Sequence, residues 1–207
     1  SLQPLIHSMI SDRYVNFLSH RKTTLYIGTN EGLYAYNYIN NQCDLCSPLL
    51  KSKNIIAYQC NSDYQVVATD REVFLFDYNW NFIHKITIYK ESLNNHITSM
   101  VIYGNQEALL GTESGLVIIH IENDGKTKSN TLYSGDKIVQ LFIDSRNKLW
   151  ICRGEEILYS NIDTLDSVGI SGFKHIAYNH EVISFFEYAN QVWVGTRGYG
   201  ISIYEYD

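Results

Sequence analysis

Short apolar runs recur along the chain, each cut off by a polar turn, and they recur in a fixed order. Five stretches read mostly apolar: "YVNFLS", "IIAYQC", "ITSMVIY", "IVQLFID" and "VISFFEY". A polar turn follows each one ("HRKT", "NSDY", "GNQE", "SRNK", "ANQ"). Then comes a run of one type: "LYIGT", "VVATD", "ALLGT", "LWICR", "VWVGT". A third run closes the hairpin: "GLYAYN", "EVFLFDY", "GLVIIHI", "EILYSNI", "YGISIYEY". More polar segments such as "FIHKITIY" and "KSNTLY" come fourth. Runs of this length separated by turns of two to five residues predict strands and hairpins. The position after the small residue in the second run is Thr29, Thr69, Thr112, Arg153 and Thr196, spaced by 40, 43, 41 and 43 residues. A period near 42 built of short strands is the signature of a β-propeller. The predicted fold class is therefore all-β: one propeller domain over residues 1–207, of about five four-stranded blades. Its Gly-Thr-type strands fall near 25–29, 65–69, 108–112, 149–153 and 192–196.

The pattern assigns a role to each strand. The first is apolar on both faces, as an inner strand should be. The fourth is the most polar, as an outer edge should be. A glycine in the second strand lets a neighbouring blade approach closely, and Ala68 and Cys152 keep that place small. The threonine hydroxyl can bond locally. In "TNEGL" and "TESGL" the glycine predicts a three-residue hairpin with a G1 bulge. Tyr26, Trp150 and Trp193 are expected to fill the wedge between blades. The copy "LWICRG" keeps the aromatic and the small residue and loses only the hydroxyl.

Composition changes the picture little. At 45% hydrophobic and 18% charged residues, with 17 tyrosines, the chain is globular and strand-biased. A net charge of −6 with scattered basic residues argues against nucleic acid as a partner. No apolar run reaches membrane-spanning length. The opening "SLQPLIHSMISD" lacks the n- and h-regions of a signal peptide. Cys43 and Cys46 form a C-x-x-C without the second half of a zinc site. They read as two thiols on an outer strand and its turn.

The phrase "DSRNKLWICRGEEILYSNID" resembles the two-component regulator propeller repeat, D-x-x-G-x-L-W-I-G-T-x-x-G-L-x-x-Y-D. Residues 149–150, 193–196, 25–29 with 32–33, and 111–112 with 115–116 match best, and the second copy departs most. The resemblance implies a periplasmic or extracellular propeller of a hybrid two-component sensor, of the kind found in gut Bacteroidetes. Such propellers contribute to sensing oligosaccharides and signal to a histidine kinase. The family's usual additional blades, immunoglobulin-like domain, membrane helix and kinase are not in this sequence, so any kinase activity would lie outside it. The last copy supplies three strands, and "QPLIHSMI" could supply the fourth. A closed ring of five is the expectation on that splice, with an arc of a larger propeller as the alternative.

A propeller presents ligands at the turns after the second strand and at the connections between blades. Arg71, Arg153 and Arg197 fall there and could cluster to hold a carboxylate or sulfate, with Tyr199 and His96 as further ligand-binding candidates. The competing reading is solvated charges paired with neighbouring glutamates. His175 and His180 lack metal-ligand spacing, and Glu155 and Glu156, adjacent on a strand, point to opposite faces. "GTRGYG" precedes no helix, so it is no phosphate loop, and "NDG" at 123–125 reads as a hairpin turn. No catalytic residue, metal or cofactor is assigned. The expected function is a non-enzymatic ligand-sensing propeller for a saccharide or other small ligand. The alternatives are a protein-interaction scaffold, self-association included, and a propeller-fold carbohydrate-active enzyme.

Overall fold

The computed structural model describes residues 9–88, 96–122, 126–165, 169–177 and 180–206. Its strands are arranged as successive meanders, the architecture of a five-bladed β-propeller. Two compact units divide at residue 88.

The first unit holds two sheets. One runs β1 (Val15–Arg21), β2 (Thr24–Thr29), β3 (Gly32–Asn37) and β4 (Gln42–Leu45) in spatial order. Cys43 lies on outer β4 and Cys46 just beyond it, and all four cysteines are free thiols. A 3-10 turn at Pro48–Leu50, capped by Ser47, leads into β5 (Ile55–Cys60), β6 (Tyr64–Thr69), β7 (Glu72–Asp77) and β8 (Phe82–Thr87). The two sheets meet through β5, which contacts β1 and β2. Their shared core is Leu33, Leu50, Ile55, Tyr58, Val67, Phe74 and Phe76. Tyr26 fills the wedge as predicted, its ring 4.5 Å from Tyr58 and 6.1 Å from Trp80.

The second unit holds three sheets. The first is β9 (Ile97–Tyr103), β10 (Glu107–Thr112), β11 (Gly115–Ile121) and β12 (Thr127–Ser134). The next is β13 (Ile138–Ile143), β14 (Lys148–Arg153), β15 (Glu156–Asn161) and β16 (Lys174–Ala177). The last has three described strands: β17 (Val182–Tyr188), β18 (Gln191–Thr196) and β19 (Ile201–Glu205). Inner strands lie side by side, β13 touching both β9 and β17. One core gathers Leu109, Leu116, Ile138, Leu141 and Ile151, and another gathers Trp150, Cys152, Ile157, Val182, Val192 and Val194. The expected fourth strand of the last blade falls on residues 3–10. Residues 3–8 of that stretch lie outside the described residues, and Met9 and Ile10 are in a turn.

Several features follow repeat physics that the alternation pattern does not carry. Each inner strand is bulged near its start, where the register shifts: between Val15 and Phe17, Ile55 and Ala57, Ile138 and Gln140, Val182 and Ser184, and in β9 opposite Gly111 and Thr112. A bulge adds twist at the crowded end of a strand. Between β15 and β16, 3-10 turns at Ile162–Thr164 and Ile170–Gly172 drop Ile162, Ile170 and Phe173 into the core. The expected G1 hairpins are tighter than predicted. Thr29 pairs directly with Gly32 and Thr112 with Gly115, which leaves two-residue loops. The glycines sit at φ +139° and +127°, not in the left-handed helical well.

The close-approach role of the second-strand glycine holds at Gly111. A Cβ there would stand 2.8 Å from Ile138 Cγ2 of the next sheet. At Gly28 and Gly195 the crowding comes from Phe17 and Ser184 on the adjacent strand of the same sheet.

Gly115 is the tightest turn position, because a Cβ would come within 2.0 Å of the Tyr133 carbonyl oxygen. Gly154 has a positive φ of +59° but open space around it. Gly115→Ala is expected to cost more than about 2 kcal/mol, and Gly154→Ala about 1 kcal/mol. Urea denaturation of the two variants measures the difference.

Candidate functional site

Four of the five turns after the second strand are clamped by the repeat threonine. Thr29 Oγ1 donates to Gly32 O at 2.8 Å, Thr69 to Glu72 O at 3.2 Å, Thr112 to Gly115 O at 3.0 Å and Thr196 to Gly200 O at 2.9 Å. Backbone N–H groups of three of these turns, from Glu31, Arg71 with Glu72, and Ser114, donate back to the hydroxyl. This is the local hydroxyl bonding expected of a turn threonine. The fourth turn has Arg153 instead, and its side chain is released for another use.

The Arg153 guanidinium donates to Glu156 Oε2 at 2.6 Å and to Tyr133 Oη at 3.1 Å. It also lies over the Tyr133 ring, 5.4 Å from the centroid. An open cavity of about 620 Å³ forms beside it, lined by Asp136, Lys137, Val139, Arg153, Glu155 and Glu156. The Asp136 backbone N–H donates to Tyr133 Oη at 3.3 Å. Lys137 pairs with Glu113 at 2.9 Å, and the Glu113 N–H donates to the carbonyl of His96. The cavity wall thus alternates donors and acceptors and carries more acid than base.

The other predicted residues are placed as follows. Arg197 pairs with Glu181 at 2.7 Å in the same unit. Tyr199 stacks on His180 with ring centroids 3.7 Å apart and is 70% exposed. His96 contributes its backbone carbonyl. Arg71 belongs to the first unit, at the β6–β7 turn, 3.8 Å from Asp70. Each of the three arginines has its own local carboxylate. Residues 89–95, just before His96, lie outside the described residues, as does the turn 123–125. Sequence reasoning missed Tyr133 and Glu156 as partners of Arg153; Glu156 meets it by strand pairing in one sheet, and Tyr133 by the packing of the preceding sheet against it.

The hydrogen bond from Arg153 holds the Glu156 carboxyl below its ordinary value, and Glu156 in turn raises the Arg153 guanidinium. Glu181 is lowered in the same way by Arg197. Burial pushes the Cys152 thiol up to about 12 and raises Cys46 further still, so neither has nucleophile character. Among the described residues no cluster of His, Cys, Asp and Glu could hold a metal ion, and no helix is long and apolar enough to cross a membrane.

No protein-family model matches the chain, and no curated protein matches it. Solved structures do. The extracellular domain of a putative hybrid two component system from B. thetaiotaomicron is 17% identical with a TM-score of 0.63, over 97% of this chain and 27% of that one. The Neurospora crassa Pan2 WD40 domain is 13% identical with a TM-score of 0.62, over 91% and 57%. BBS1N, solved in complex with ARL6, is 16% identical with a TM-score of 0.65, over 93% and 63%. The chain spans less than two thirds of each of these proteins. At such identities the likeness establishes the propeller fold.

A carboxyl lowered in the folded state adds stability above its unfolded pKa and loses it as pH falls through the folded value. Both partners are partly open to water, so screening keeps the contribution small. Below the ordinary glutamate value of 4.5, the parent protein is expected to lose stability more steeply than Glu156→Gln, the two converging in acid. Urea denaturation at neutral and acid pH provides the check. Iodoacetamide is expected to leave Cys46 and Cys152 unlabelled in the native protein and to label both after unfolding, read by mass spectrometry.

Proposed function

We propose that this chain is a ligand-sensing propeller module that recognises a neutral saccharide at the Arg153 cavity, without turnover. The observation that carries this reading is the replacement of the clamping threonine by an arginine whose guanidinium faces a cavity. A fixed Arg–Glu pair offers paired donors and acceptors, which suits vicinal hydroxyls. The excess of carboxylates (Asp136, Glu155 and Glu156 against Lys137 and Arg153) disfavours an anion. That choice departs from the carboxylate or sulfate expected of a three-arginine cluster, since Glu156 and Tyr133 already engage the Arg153 donors. Tyr199, exposed and backed by His180, offers a flat face on which a sugar ring can stack.

The enzyme reading is weaker. A glycosidase general acid needs a raised pKa, and Glu156 is shifted the other way. A sensor role and a location outside the cytoplasm draw on the repeat resemblance and on the similar extracellular domain. The scaffold reading draws on Pan2 and on BBS1N in its complex.

Calorimetric titration and thermal shift against neutral oligosaccharides test the proposal. At least one member of a broad panel is expected to raise Tm. Arg153→Ala should weaken its binding about ten- to a hundredfold, the worth of a charge-assisted hydrogen bond. No stabilisation across the panel, or equal binding by the variant, counts against the assignment.

A further inference from the structure

The connection from β12 to β13, residues 134–137, runs along the rim of the Arg153 cavity and is fastened unevenly. Its two ends are tied firmly. Ser134 pairs with Gly115, and the Gly135 N–H donates to Ser114 O at 3.1 Å. Beyond the other end Ile138 is fully buried, and its carbonyl accepts from Thr98 Oγ1. Between these anchors Asp136 and Lys137 are exposed and line the cavity. Among the described residues two side-chain ties hold them. Lys137 pairs with Glu113, both partly open to water, and such a pair contributes little. The other tie is Tyr133, whose Oη accepts from the Asp136 N–H at 3.3 Å and donates to Asp136 Oδ2 at 3.4 Å.

Tyr133 folds back over its own connection to make this tie. A Cβ on Gly135 would stand 2.3 Å from Tyr133 Oη and 2.6 Å from Cζ. Gly135 does not have a positive φ, so the glycine gives room to the ring and does not serve a backbone conformation that other residues avoid. The same hydroxyl accepts from Arg153, and the guanidinium lies over the ring. With two bonds accepted and one donated, the phenol is fully used. The Arg153 side chain makes no hydrogen bond or ion pair with residues 134–137 and reaches them through Tyr133. Its two bonds differ in strength. Glu156 is a charged partner at 2.6 Å, and Tyr133 a neutral one at 3.1 Å. A charge-assisted bond is about twice as strong as a neutral one. A ligand hydroxyl that competes for this guanidinium therefore displaces the phenol before the carboxylate.

We infer that Arg153 holds residues 134–137 closed as a strap through Tyr133, a positioning residue, and that a group drawing the guanidinium away from the phenol releases the strap. This rests on the reading of the Arg153 cavity as a binding site and adds how occupancy of that site is reported. Without Arg153, Tyr133 keeps only the ties to its own connection, so its ring and Asp136 swing together. The anchored ends stay where they are, because Gly135 and Ile138 are held by groups that do not touch the guanidinium. Binding is thus reported at Asp136 and Lys137, between the β9–β12 and β13–β16 sheets, and the sheets themselves do not shift.

Amide hydrogen exchange of the full chain without ligand, resolved by nuclear magnetic resonance, tests the relay. Arg153→Met keeps a long side chain, removes the guanidinium and so imitates its withdrawal. It is expected to speed exchange of the Asp136 amide about tenfold, the worth of one hydrogen bond. Tyr133→Phe should have the same effect, and adding Arg153→Met to it should change nothing further, as expected of two residues that act through one another. Gly135→Ala, whose Cβ would meet the outer ring atoms of Tyr133, is expected to push the phenol aside and match Tyr133→Phe with an unchanged urea midpoint. Amides of β10 and β14 should exchange as in the parent. Parental exchange at Asp136 in Arg153→Met, additive effects of the two variants, or faster exchange spread through β14 would overturn the inference. No saccharide enters these measurements, so their failure and that of the glycan panel are told apart.

Discussion

Sheets can stack blade on blade only if something small stands where one sheet's second strand meets the next sheet's first. At Gly111 that clearance is visible, with Ile138 fully buried against the bare backbone. In the next sheet the place is taken by Cys152, whose thiol reaches the Val182 carbonyl at 3.6 Å. Once the approach is that close, the residues around it become core. Leu109, Ile151 and Val194 are buried because two sheets trap them. In the second unit the aromatic Trp150 joins the core that forms around this contact.

Around that packing the repeat divides its labour. At Thr29, Thr69 and Thr112 the clamp knits the turn to its own strand with two or three hydrogen bonds, each worth about 1 kcal/mol net. The aromatic two residues before the small position contacts the neighbouring sheet, as Tyr26 and Trp150 do. Charged groups at the loop end pair locally: Arg197 with Glu181, Lys137 with Glu113, Arg153 with Glu156. Such exposed pairs contribute little to stability. Their value lies in orientation, and at Arg153 they hold a guanidinium against a cavity.

Much of the fold was legible in the chain because strand alternation and a spacing near 42 residues are written at the level of single residues. The strand order of each sheet, the wedge role of Tyr26 and Trp150 and the hydroxyl bonding of the threonines could all be read in advance. What escaped depends on geometry between segments. The bulge in each inner strand is set by twist. The 3-10 detour before β16 is set by how Ile162 and Phe173 reach the core. The hairpin loops lost a residue because Gly32 and Gly115 pair directly with the threonines. Arg153, Arg197 and Tyr199 were legible as candidates. The Tyr133 partner was not, because β12 and β14 belong to different sheets and only the packing of those sheets brings Tyr133 to Arg153.

The clamp also bears on how such a chain can change over time. Where the hydroxyl is present, side chain and backbone are committed to each other, and the turn tolerates little novelty. In the one copy that dropped it, Gly154 at φ +59° lets the chain reverse without side-chain help. Adaptation can then exchange the residue at 153 while the neighbouring strands stay put. Among otherwise similar loops, that position is the one the architecture leaves open to variation.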